Sequence, residues 1–318
     1  MEKLTVALLS GGISSEREVS INSGNQVFKA LDKSKYDIRR YDPKTDLKKI
    51  VEDADEIDFA LLILHGPFGE DGTIQGMLDL LNIPYQGSGV IGSSVAMNKV
   101  TSKQLYIQHG LPTPSFVILR KGENYDGENI VEKLNLPIVV KPVQAGSSVG
   151  MSIVKDGNDL SKAIDKAFDV DNNILLEEYI KGTEFTCGVL GNDEIEALPV
   201  IEIIPGEDCD FFDYEAKYVP GKTEEICPAR ISDETTKEIM RLAIEAHKCL
   251  VCKGYSRTDF LMKDNNLYIL ETNTIPGMTA TSLLPQSANV AGYSFSELLD
   301  KLIQLGIEEY KKNNIYKN

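Results

Sequence analysis

No apolar run in this chain is long enough to cross a bilayer: the longest, such as FALLIL at 59–64, fall far short of the roughly 20 residues a membrane helix requires. The opening stretch MEKLTVALLSGG turns polar after a short apolar core, so it reads as a first strand rather than a signal peptide, and the protein is expected in the cytoplasm. Cysteine is sparse. Five residues, Cys187, Cys209, Cys227, Cys249 and Cys252, scattered through a chain of 318 do not make a disulfide framework. Cys249 and Cys252 form a lone C-x-x-C in a helical pattern without a second pair, which reads as buried small side chains rather than zinc or redox chemistry. Positive charge is short as well. With 33 Lys and Arg against 49 Asp and Glu, a net charge of −16, most of the surface repels a polyanion, which argues against nucleic acid as a partner. A small anionic ligand stays open, provided that lysines and arginines converge locally. Repeats and low-complexity tracts are absent too.

What is present is a globular composition, 42% hydrophobic and 26% charged, at a length that suits two or three domains of about 100–200 residues each. KLTVALL and DFALLIL read as strands, GTIQGMLDLLN as a short helix and IPYQ as another strand. Between the first two, a glycine turn at Gly11 and Gly12 feeds a helix with Ser15 as N-cap and Glu18 at capping-box spacing. Strands alternating with helices predict a parallel sheet covered on both faces over residues 1–98. A G-x-G-x-x-G match at Gly87, Gly89 and Gly92 is not a dinucleotide fingerprint, because it lies outside the first βαβ unit and LPTPSF follows where the acidic residue should stand. It reads as a loop into a helix over 93–109, ended by Gly110 and the prolines of LPTP. SFVILRK, LPIVVKP, MSIVKD, a helix near 158–168 and NILLEEYI predict a small, mostly antiparallel α+β unit over 99–182. The third unit, 183–318, holds strands in EALPVIEII, a helix near 233–252, the hairpin SRTDFLMKDNNLYILETN and a closing helix near 295–312.

Two stretches carry chemistry. VVKPVQAGSSVGMSIV at 139–154 is a run of small residues between two strands, without the Gly-Lys pair or the following helix of a mononucleotide P-loop. It is either a bare glycine-rich hairpin or a flap over a ligand. In the hairpin, Glu271 and Asn273 share a face because side chains alternate along a strand. A three-residue turn at Asp264, Asn265 and Asn266 puts Asp259 opposite Glu271 on that face, whereas a two-residue Asn-Asn turn puts them on opposite faces. Two carboxylates and an amide oxygen are hard ligands suited to Mg²⁺, and no His or Cys stands beside them to favour zinc.

The flap with its lysine, the carboxylate hairpin and the acidic edge in LLEEYIKGTE together resemble the ATP-grasp enzymes, and within them the D-alanine–D-alanine ligases. The likeness runs nearly end to end, through LLSGGISSEREVSINSG, LHGPFGEDGTIQGMLDLLNIPYQGSGV, MNK, GTEFTCGVLG, DYEAKY, CPA, SRTDF and ETNTIPGMTATSLLP. It implies an ATP-grasp fold behind an N-terminal α/β domain, and ATP-driven joining of two D-alanines through an acylphosphate. By the same resemblance, Lys99, Lys141 and Lys217 hold the ATP phosphates under the flap with Ser147 and Ser148. Glu177 and the backbone of Tyr179 and Ile180 meet the adenine edge, and Glu184 the ribose. Asp259, Glu271 and Asn273 hold two Mg²⁺, for which Mn²⁺ can substitute. Glu16 pairs with the ammonium of the first D-alanine beside His65; Ser147 and Tyr218 form a proton relay with Glu16; Arg257 and Gly277 stabilise the oxyanion; Ser282 and Leu283 receive the second carboxylate. A homodimer without membrane or nucleic-acid partners is also implied. The chain departs from the family pattern at VQAG in the flap, at Thr258 where an aliphatic is usual, and at Thr279 to Thr281, which leaves tolerance of D-serine open. Two alternatives stand beside this reading: another ATP-dependent carboxylate–amine ligase, and a nucleotide-binding protein without catalysis.

Overall fold

The computed structural model describes residues 3–144, 149–206 and 223–314. Its first sheet is parallel, in the order β2 (Tyr36–Tyr41), β1 (Leu4–Ser10), β3 (Phe59–Ile63). In β1, Val6 and Leu8 face one core while Ala7 and Leu9 face another. Burial on both faces is why β1 and β3 read as continuous apolar runs rather than alternating ones. The helix α1 (Arg17–Ala30) and the closing helix Phe295–Asn314 pack on the first face. The helices α2 (Leu47–Glu52) and α3 (Thr73–Leu80) cover the second. β2 was not expected, because YDIRRY is only half apolar: as an edge strand it buries little beyond Tyr41. IPYQ, expected as a strand, contributes an isolated bridge between Ala60 and Tyr85.

The expected helix 93–109 is two helices, α4 (Val90–Met97) and α5 (Lys99–Gln108). Asn98 breaks them: its backbone is extended and its side chain accepts from the Thr101 N–H at 3.0 Å, capping α5. The capping box at Ser15 is also corrected, since α1 starts at Arg17 after Glu16 with no side-chain cap.

A four-stranded antiparallel sheet follows, β4 (Phe116–Arg120), β7 (Asn173–Glu178), β5 (Ile138–Pro142), β6 (Ser152–Val154). Ile138, Val140, Ile174 and Leu176 turn toward α6 (Gly127–Leu134) and α7 (Leu160–Phe168), so Lys141 and Glu177 take the opposite face. A second antiparallel sheet runs β11 (Thr223–Ile226), β10 (Ile201–Pro205), β8 (Thr183–Leu190), β12 (Tyr255–Lys263), β13 (Asn266–Asn273), with β9 (Glu196–Ala197) paired to β8. Phe185, Cys187, Val189, Phe260 and Ile269 pack under the helix Asp233–Cys249. Glu184 and Asp259, alternate to these, and Glu271, past an irregularity in β13, line a cavity between the two antiparallel sheets. Cys187, Cys227, Cys249 and Cys252 are free thiols, and no described helix is long and apolar enough to span a membrane.

Candidate active site

Local sequence places each functional side chain. At the first glycine turn, Gly11 and Gly12 have positive φ, and Asp42 accepts from the Gly12 N–H at 2.9 Å while pairing with Arg17 at 2.5 Å. Burial pushes the Asp42 carboxyl up, but Arg17 and the N–H groups of Gly12 and Lys44 outweigh it and hold it at about 2. This ion pair fixes the start of α1. Glu16 therefore sits buried at that start, against Gly66, where an added Cβ would lie 2.9 Å from its Oε2.

Glu16 lines a cavity of about 510 Å³ together with His65, Arg257, Gly277, Ser282 and Leu283. The six residues come from five chain segments, and the fold brings all of them to one cavity. His65 is buried with no hydrogen-bond partner on Nε2; burial, and then the charge of Arg257, lower its pKa against the pull of Glu16, favouring the neutral ring. Ser282 opens the helix Leu283–Val290, which lies so close on β8 that a Cβ at Gly188 would come within 2.5 Å of Leu284 Cδ1. That contact lays a helix N-terminus, favourable to an anion, along the cavity.

Glu70 lines the same cavity and was not anticipated. Its carboxylate accepts from the Gly66 N–H at 2.6 Å. Burial, then the charge of Glu16, push its carboxyl up to about 8. In the sequence it was one acid of a GEDG loop, with the composition of a solvated turn and no periodicity to mark it.

The second cavity, about 630 Å³, lies between the antiparallel sheets and is lined by Lys99, Lys141, Glu177, Tyr179, Ile180, Glu184, Asp259 and Glu271. Lys99 and Glu271 line both cavities, with Lys99 Nζ 3.7 Å from Glu271 Oε2. They form the shared wall. Lys141 Nζ lies 2.6 Å from Glu177 Oε2, and Lys103, fully buried on α5, pairs with the other oxygen of Glu177. Val149 and Met151, just before β6, also line this cavity. Gly150 is left-handed there, and a Cβ would meet Pro142 and Val170 at 2.9 Å. Ser147, Ser148, Lys217 and Tyr218 lie outside the described residues.

Asp259 does stand opposite Glu271, by a route neither turn reading anticipated. The turn is a two-residue one at Asp264 and Asn265, both with positive φ, closing on Lys263 and Asn266. A bulge then shifts the register between Asp259 and Phe260, leaving Leu270 extra. The bulge restores the pairing that the turn alone would have offset by one.

The donor chemistry at this pair suits a hard divalent cation: oxygen atoms from Asp259, Glu271 and the Asn273 amide, without sulfur or imidazole. No cluster of three or more His, Cys, Asp or Glu able to hold a metal occurs among the described residues; the third oxygen donor beside the two carboxylates is the Asn273 amide. Arg257 donates to Asp259 from Nε at 2.9 Å and from its terminal nitrogen at 2.8 Å, Asn273 Nδ2 donates at 3.1 Å and Thr186 Oγ1 at 2.6 Å. The Asp259 carboxylate thus has its positive neighbour in Arg257, and a cation there requires Arg257 to swing away and the Asn273 amide to present its oxygen.

Residues 105–304 match the family described as D-ala D-ala ligase C-terminus, and residues 39–88 match D-ala D-ala ligase N-terminus. The chain belongs to the D-alanine–D-alanine ligase family. A ligase of that name from Syntrophobacter fumaroxidans is 58% identical over 97% of this chain and 99% of its own, and one from Desulfotalea psychrophila 52% identical over 98% and 97%. Among solved structures, the D-alanine–D-alanine ligase of Bacillus anthracis complexed with ATP superposes with a TM-score of 0.86 at 36% identity, covering 98% of this chain and 99% of that one. The ATP-grasp architecture expected from the sequence is the one observed.

Proposed function

We propose that the chain joins two D-alanines at the cost of ATP, with the nucleotide in the cavity between the antiparallel sheets and the amino acids in the cavity holding Glu16. The observation that carries this reading is the wall shared by the two cavities at Lys99 and Glu271. A carboxylate is a poor electrophile. Its oxygen attacks the γ-phosphorus of ATP, ADP leaves, and the resulting acylphosphate carries a good leaving group. The amine of the second D-alanine then attacks the acyl carbon, and the tetrahedral intermediate collapses to dipeptide and phosphate. Glu16, buried at the start of α1, holds the ammonium of the first D-alanine. Arg257 and the Gly277 N–H stabilise the oxyanion. Ser282 and Leu283 at their helix start receive the second carboxylate, and Lys99, Lys141 and Lys217 hold the phosphates. As the family resemblance implies, a flap over 144–150 keeps water from the acylphosphate. Asp259, Glu271 and Asn273 would hold Mg²⁺, with Mn²⁺ as a substitute, and the cation would neutralise phosphate charge.

Belonging to this reading are a division at 98/99 and 182/183, a cytoplasmic homodimer, and a role in making peptidoglycan precursor. Tyr218, with Ser147, relays the proton of the attacking amine. Tyr218→Phe is expected to raise the ratio of depsipeptide to dipeptide when D-lactate competes with D-alanine; an unchanged ratio removes that role. The function itself is tested by phosphate release from ATP with D-alanine, L-alanine, D-serine or D-lactate, with products identified by mass spectrometry. Expected is one D-alanyl-D-alanine per phosphate and no turnover with L-alanine. A preference for L-alanine overturns it.

A further inference from the structure

Lys103 is a lysine with no surface: it is 0% exposed and lines neither cavity. It lies one turn beyond Lys99 on α5, so both ammonium groups leave the same face of the helix. Lys99 reaches Glu271 on β13, and Lys103 reaches Glu177 on β7. Lys103 also donates to Thr113 Oγ1 at 2.7 Å, and Thr113 donates to the Ile269 carbonyl of β13 at 2.8 Å. Lys103 is therefore tied to both antiparallel sheets.

Glu177 holds two lysines at once, and they differ. The Lys141 side chain is 14% exposed and lines the nucleotide cavity, whereas Lys103 has no access to it. A buried carboxylate stripped of its partners is costly. Burial pushes the Glu177 carboxyl up, but Lys103 and Lys141 outweigh it and keep it ionised. Were Lys141 its sole partner, drawing Lys141 onto a phosphate would leave a bare buried charge. We propose that Lys103 is the resident counter-charge of Glu177, which lets Lys141 exchange that carboxylate for a nucleotide phosphate. Lys103 is thus a positioning residue for ATP binding, acting through Glu177. This rests on the proposed nucleotide cavity.

The test is calorimetric ATP binding to the full chain in four variants, with thermal melts to confirm folding. Lys141→Met is expected to weaken ATP binding, and Lys103→Met to weaken it at least about tenfold, a lower bound on the cost of leaving a buried charge unpaired, while the KM for D-alanine stays within about twofold. In a Glu177→Gln background, where no buried charge needs compensating, adding Lys103→Met is expected to cost less than about threefold. Equal losses in both backgrounds, or wild-type affinity for Lys103→Met, overturn the proposal, since the side chain would then act through packing or not at all. Wild-type affinity for Lys141→Met instead overturns the nucleotide-cavity reading, and this inference with it.

Discussion

At the scale of single residues, charge and burial decide what each carboxyl does. Glu16 is a buried acidic side chain at a helix start beside a cavity, suited to an ammonium group. Glu16→Gln keeps the shape and removes the charge, so kcat/KM for D-alanine is expected to fall by about 10–100-fold, the worth of a charge-assisted hydrogen bond, with ATP binding little changed. Glu70 faces the opposite problem. Its folded pKa of about 8 against an ordinary 4.5 means the folded state keeps a proton that the unfolded chain has lost. Its contribution to stability is full below about 4.5 and is lost as pH rises through about 8. Glu70→Gln should therefore gain in melting temperature relative to wild type as pH is raised from about 5 to about 8; parallel melting curves would contradict this. Neither residue's environment was legible in the sequence: both lie in stretches that carry the family resemblance, which pointed to a role for Glu16 and to none for Glu70, an acid in a glycine loop. Thr258 is the converse case. Its departure from the usual aliphatic is satisfied by a buried hydroxyl network: it bonds Thr272 Oγ1 at 3.0 Å, which in turn accepts from the Tyr106 hydroxyl at 2.8 Å.

At the scale of elements, the hairpin β12–β13 explains what local pattern can and cannot tell. Alternation fixed that Glu271 and Asn273 share a face, but the pairing of Asp259 depends on a turn and a bulge, and a bulge leaves no mark in hydrophobic period. Asp264 and Asn265 both carry positive φ, a conformation that Asn and Asp tolerate and β-branched residues do not. Asn265→Val is expected to destabilise the protein by roughly 1–2 kcal/mol, while Asn265→Gly should match or exceed wild type, both read by denaturant unfolding. The broken helix α4–α5 teaches a similar lesson. Apolar spacing continued through Asn98, and the cap became visible only with the backbone. The break also sets the direction in which Lys99 and Lys103 leave α5.

At the scale of the whole molecule, strand–helix alternation and the antiparallel units were legible because each follows a periodicity of its own. What joins them was not, since it depends on contacts between distant parts of the chain. The closing helix is an instance: Leu298, Leu299, Leu302 and Ile303 pack with Val6, Leu8 and Phe59 of the parallel sheet and with Leu190 and Tyr255 of the large antiparallel sheet in one core. Leu302→Ala is accordingly expected to cost about 2–5 kcal/mol, seen as a lower denaturant midpoint by any probe. The same long-range assembly brings two cavities to a common wall at Lys99 and Glu271, where the proposed function has a phosphoryl group pass directly between ligands. Supplying D-alanine labelled with ¹⁸O in its carboxylate tests that passage most directly. Direct phosphorylation predicts one ¹⁸O in each phosphate released with dipeptide; unlabelled phosphate would mean that no acylphosphate forms and would contradict the account.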